Sequence, residues 1–189
     1  MCVRLLTGIW TESEADMERK THGLLGLGLL LVLFLGMMAL MRTTAAQVEK
    51  LSGGQGIIDL TFGITPPKIS SALSGYGRTA AAYYRWGFLL VDMVYAFAYV
   101  TFYRCAIKAV CERCKIYGRA GELLPMVPVV GMLGDLFENT VMFILLGGNR
   151  SGVLMWAFTV FNIIKFVFVY SSLAIVVGGA LWLAKKRLS

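Results

Sequence analysis

Four ionisable residues sit inside stretches that are otherwise apolar: Asp92, Asp135, Glu138 and Lys165. Charges in hydrocarbon are expensive, so each marks a candidate site. Arg85, Asp92, Tyr95, Tyr99 and Tyr103 follow one another at offsets of 7, 3, 4 and 4, which places them on one stripe of a helix with 3.6 residues per turn. Asp135, Glu138, Asn139 and Met142 share a face of a second segment, above the small or rigid positions Pro128 and Gly131, and Asn162, Lys165 and Ser172 form a stripe on a third. Three carboxylates then face one lysine, and recruiting Arg85 still leaves one negative charge. One acid must hold a proton or meet a cation from elsewhere. Two chemistries fit that imbalance: a shared proton in a transport or relay site, or buried ion pairs that lock helix register and leave room for a partner's basic residue.

Other chemistries lack their residues. With His22 as the single histidine, two-His haem ligation cannot be built. Cys105, Cys111 and Cys114 fall in a basic stretch expected to be a loop, and zinc would want a fourth ligand. Reduced thiols are expected there, with a disulfide or acylation as alternatives. No phosphate-cradling glycine motif, nucleophile elbow or two-His metal helix is present. No metal or cofactor is expected beyond a bound phospholipid.

The elements that must carry these residues are membrane spans. The 189 residues are 58% hydrophobic and only 15% charged, too little polar surface for a water-facing body. Apolar runs at about 24–41, 82–106, 123–146 and 153–184, the first of them without a charge, match the ~20 apolar residues that cross a bilayer core. Backbone amides must be satisfied internally there, which favours helices. The expectation is a single all-α domain, an integral membrane four-helix bundle. The first run has the alternative of a signal peptide with small residues at Thr43–Ala46, but its length favours an anchor. Gly26, Gly28 and Gly36 within it read as close-packing positions. Eleven Lys and Arg flank the termini side and six the other, so both termini are expected on the positive-inside face. The net charge of +7 is scattered at span ends, which speaks against nucleic acid.

Counting at 1.5 Å per residue puts Asp135 and Lys165 level, about 18 Å from the far-face ends of their helices, and Asp92 and Glu138 level at about 13 Å. Lys165 is thus expected beside Asp135, with Asp92 and Glu138 one turn above near Arg85, and helix one outside. Thr11 and Glu14 have capping-box spacing for a short helix through Lys20. In the 42–81 loop, Thr65 can cap a short amphipathic helix opened by Pro66, with Ile69 and Leu73 on one face, lying on the bilayer surface. Gly75 and Gly77 end it, and Arg78 and Arg85 re-enter at the lipid headgroups.

From Ile57 onward, Asp59, Phe62-Gly63, Gly77-Arg78, Asp92, Tyr95, Tyr99, Leu124-Pro125, Asp135-Leu136-Phe137-Glu138-Asn139 and Lys165 resemble a loosely defined family of small four-span membrane proteins. The resemblance implies a recurring intramembrane charge cluster and no particular activity. A basic four-span chain without a catalytic constellation suits a non-catalytic accessory subunit of an energy-transducing complex, in a mitochondrial inner membrane or a bacterial plasma membrane, partnered by other subunits and by lipid. The alternative is a small proton-linked carrier or channel. A lipid-modifying enzyme is a third class, without an evident nucleophile.

Overall fold

The computed structural model describes the backbone of residues 3–188 and the side chains of residues 25–186 and 188. Its regular elements are helices: α1 (Val3–Leu51), α2 (Pro66–Gly75), α3 (Arg78–Tyr83), α4 (Leu89–Cys114), α5 (Gly118–Leu123), α6 (Val127–Leu146) and α7 (Gly152–Leu188). A π turn (Tyr84–Phe88) joins α3 to α4, and a 3-10 turn (Leu124–Met126) joins α5 to α6. Among the described residues, four stretches are long and apolar enough to cross a membrane: Leu25–Leu51, Arg78–Cys114, Gly118–Leu146 and Gly152–Lys186. The all-α bundle expected from hydropathy is the observed architecture.

Every span is longer than its apolar run. α1 continues ten residues past Met41 because Thr43 and Thr44, polar enough to read as loop, turn their hydroxyls back onto the carbonyls of Leu40 and Met41 at 2.8–3.1 Å. That bond hides the hydroxyl from lipid without breaking the helix. α4 runs on through Cys105, Cys111 and Cys114, so these thiols lie on a helix and not in a loop; Cys105 is exposed, Cys111 buried and Cys114 half-buried, all free. α4 then stops where Lys115 adopts a left-handed conformation (φ 57°). At the N-terminus the helix is already formed at Val3, so it does not begin at Thr11; the Thr11–Glu14 side-chain pairing lies outside the described side chains.

α4, α6 and α7 pack together, and the main apolar core lies where residues 57–64, α2, α3 and the π turn meet the ends of these helices and of α1. α6 meets α7 through Gly131 and Gly134: an added Cβ at Gly134 would come within 2.9 Å of the Lys165 amide nitrogen, and one at Gly131 within 3.3 Å of Phe168 Cβ. Small residues permit that approach where no hydrophobic effect drives association. α1 packs outside, with only 6% of its most apolar window buried. Gly26, Gly28 and Gly36 meet nothing within 4 Å, so they are not close-packing positions. α1 touches the bundle instead through Phe34, which stacks on Phe102 at 5.3 Å, and through the buried Met41 and Val48.

α2 opens on Pro66 after Thr65, buries Ile69 and Leu73 and ends at Gly75, as the spacing implied. Thr65 makes no side-chain cap bond. Arg150 ties the helix down, donating to the Leu73 carbonyl at 2.9 Å.

Candidate functional site

Three helices converge on the Lys165 ammonium. Its Nζ lies 3.0 Å from Asp135 Oδ1, 3.0 Å from Glu138 Oε2 and 3.8 Å from Asp92 Oδ2. All four residues are buried, at 7% exposure or less. α6 supplies Asp135 and Glu138 one turn apart, α4 supplies Asp92 and α7 supplies the lysine. Two amides frame them. Asn139 Nδ2 donates to Asp92 Oδ2 at 2.9 Å and, longer, to Asp135 Oδ1 at 3.4 Å, while Asn162 Nδ2 donates to Glu138 Oε1 at 2.9 Å.

The segment between α1 and α2 closes the cluster from the outer side. The Gly63 amide donates to Asn162 Oδ1 at 2.8 Å, and the Ile64 carbonyl accepts the Thr159 hydroxyl at 2.8 Å. Gly63 holds φ at +64°, the left-handed conformation a β-carbon disfavours. The same segment inserts Asp59, completely buried, whose Oδ1 accepts the Tyr84 hydroxyl at 2.9 Å. Burial raises this carboxyl from 3.8 to about 7; Lys165 opposes the rise and Asp92 adds to it. Asn162 Nδ2, which donates to Glu138, also reaches the Asp59 carbonyl at 3.4 Å, so Asp59 sits at the edge of the cluster. It makes the balance four carboxylates to one ammonium.

Arg85 does not join them. The stripe count assumed an unbroken α-helix, but the π turn, with the Leu89 amide bonded to the Tyr84 carbonyl, inserts one extra residue and slips the register. Tyr84 takes the buried position, and the half-buried Arg85 lies over the Phe143 ring at 4.0 Å and the Trp86 ring at 5.4 Å. Arg85 is a rim residue there, a cation on aromatic faces, and Arg78 is exposed at the start of α3. Tyr99, Asn139 and Asn162 are buried at or beside the cluster, and Ser172, also buried, turns back to the Phe168 carbonyl at 2.7 Å further along α7.

A cavity of about 430 Å³ reaches the cluster from the side of α1. Asp92, Asp135 and Lys165 line its inner end, Tyr95 and Tyr99 one wall, and the exposed Arg42 and Glu49 of α1 its outer end. Asp92 Oδ1 and Asp135 Oδ2 have no hydrogen-bond partner among the described residues. Among the described residues, no group of His, Cys, Asp or Glu is arranged to hold a metal ion; the lysine ammonium occupies the centre of the acids. Chemically, such a site can accept and release protons and can bind a cation. No family model, curated protein or solved structure matches the chain.

Proposed function

We propose that this four-span protein is a small proton-linked carrier, with Asp92, Asp135, Glu138 and Asp59 as the proton-accepting groups and Lys165 as their fixed counter-ion. One observation carries this reading: the acid-rich cluster lies at the inner end of an open cavity whose outer end is exposed. Ion pairs that only locked helices together would need no access route, since their contacts are made entirely inside the bundle. An open route to an uncompensated carboxylate is what proton exchange requires. A membrane that holds a proton gradient suits this role, a mitochondrial inner membrane first and a bacterial plasma membrane second.

The test is proton flux in proteoliposomes under an imposed potassium diffusion potential. The wild-type chain is expected to acidify the lumen faster than protein-free vesicles do. Asp135→Asn should return the rate to background while elution volume and abundance stay at wild-type values. Equal rates with and without wild-type protein would remove the carrier reading.

α1 favours the second reading, a non-catalytic subunit of a larger complex. Its weakly buried apolar face is available to a neighbouring chain as well as to lipid. Co-migration with a large assembly after extraction in mild detergent, and loss of that assembly in Asp135→Asn, would support the subunit; a monodisperse small particle that conducts protons would refute it.

A further inference from the structure

The cavity has two kinds of surface, and each selects a ligand property. Its walls are apolar: Met38 and Ala45 come from α1, Phe166 and Val169 from α7, and the rings of Tyr95 and Tyr99 from α4. Its volume of about 430 Å³ falls in the roughly 300–1,000 Å³ range of small-molecule sites. Its inner end is negative. Lys165 pairs most closely with Asp135 and Glu138, leaving Asp92 at 3.8 Å as the least engaged of the three acids around it. Asp92 Oδ1 and Asp135 Oδ2 lack hydrogen-bond partners among the described residues, as do the Tyr99 hydroxyl and Lys165 Nζ of the same cavity lining, and both acid side chains are at least 99% buried. Buried acceptors of that kind call for a donor. With four carboxylates to one ammonium, the fitting donor is a positively charged one.

We propose that the cavity between α1 and α7 binds a lipophilic amine, with its ammonium on Asp92 and Asp135 and its apolar body along Ala45, Phe166 and Val169. A protonated amine supplies charge and several N–H donors together, and the faces of Tyr95 and Tyr99 add favourable surfaces for a cation. A neutral alcohol of the same shape would satisfy one acceptor and none of the charge. An anion would meet the unpaired carboxylates. As the substrate class of a carrier, the amine rests on the reading above; as a binding site it stands on the cavity alone.

The experiment uses the full chain in lipid nanodiscs, with 4-phenylbutylamine as probe and 4-phenylbutan-1-ol as its neutral match, both followed by titration calorimetry. The amine should bind saturably and about tenfold or more tighter than the alcohol. Ala45→Trp, which fills the cavity from α1 without altering a charge, should weaken the amine about tenfold or more. Asp92→Asn should lower the amine's affinity and leave the alcohol's unchanged. Equal binding of the two probes overturns the proposal, as does amine binding indifferent to Ala45→Trp; Ala45→Trp decides the matter where Asp92→Asn fails to fold. Proton flux without amine binding would sink this site and spare the carrier, and amine binding without flux would do the reverse.

Discussion

Asp59 shows how far one side chain can be from its sequence context. It belongs to a connecting segment, yet its carboxyl is buried against Tyr84 and feels Lys165 and Asp92. Because burial raises its folded value from 3.8 to about 7, the folded chain keeps a proton that the unfolded chain has already lost between those two pH values. Its contribution to stability is therefore complete below about pH 4 and declines as pH rises through 7, by a few kcal/mol in all. Asp59→Asn should flatten this slope, measured as the thermal midpoint in detergent at pH 5 and pH 8. A wild-type midpoint that climbs over this interval while Asp59→Asn stays level would contradict the burial argument. Spacing alone could not place Asp59, since only the tertiary path of 52–65 brings it inward. The pairing of Lys165 with Asp135 was legible, because helical rise fixes depth for any residue in an unbroken span.

Helices carry the next set of consequences. The faces of α6 and α7 were readable from 3.6-residue periodicity, and Gly131 from its place beneath the acids. Arg85 was not, because a single π turn moves every residue on its outer side by one position, and nothing in Tyr84–Phe88 announces it. The end of α1 was hidden by a similar ambiguity, threonines that serve a helix as well as a turn. Gly134 gives the sharpest element-scale prediction. A side chain there meets backbone: the Lys165 nitrogen at 2.9 Å and the Phe161 carbonyl oxygen at 3.3 Å. Gly134→Leu should part α6 from α7 and cost about 1–3 kcal/mol, read as a lower denaturation midpoint. Gly28→Ala, with open space around it, should be neutral or raise the midpoint slightly, since alanine favours a helix by up to about 1 kcal/mol over glycine. Equal losses at both positions would refute the packing account.

At the scale of the whole molecule, four crossings place the short turn near Tyr117 and the segment containing Lys68 on opposite sides of the membrane. In a cysteine-free background, Lys68→Cys and Tyr117→Cys occupy exposed positions. An impermeant maleimide added to sealed vesicles of one orientation should label one and spare the other; labelling of both from one side would require a different number of crossings. The same count of crossings puts Tyr117 on the side of the termini. The cluster also imposes an order on biogenesis. Asp59, Asp92, Asp135 and Glu138 all precede Lys165 in the chain, and Gly63 and Ile64 wait for Asn162 and Thr159, 99 and 95 residues downstream. Until the last span leaves the ribosome, Asp92, Asp135 and Glu138 lack the ammonium they surround, with Asn139 alone bridging Asp92 and Asp135, so insertion of α7 completes the cluster and adds the fourth span in the same act.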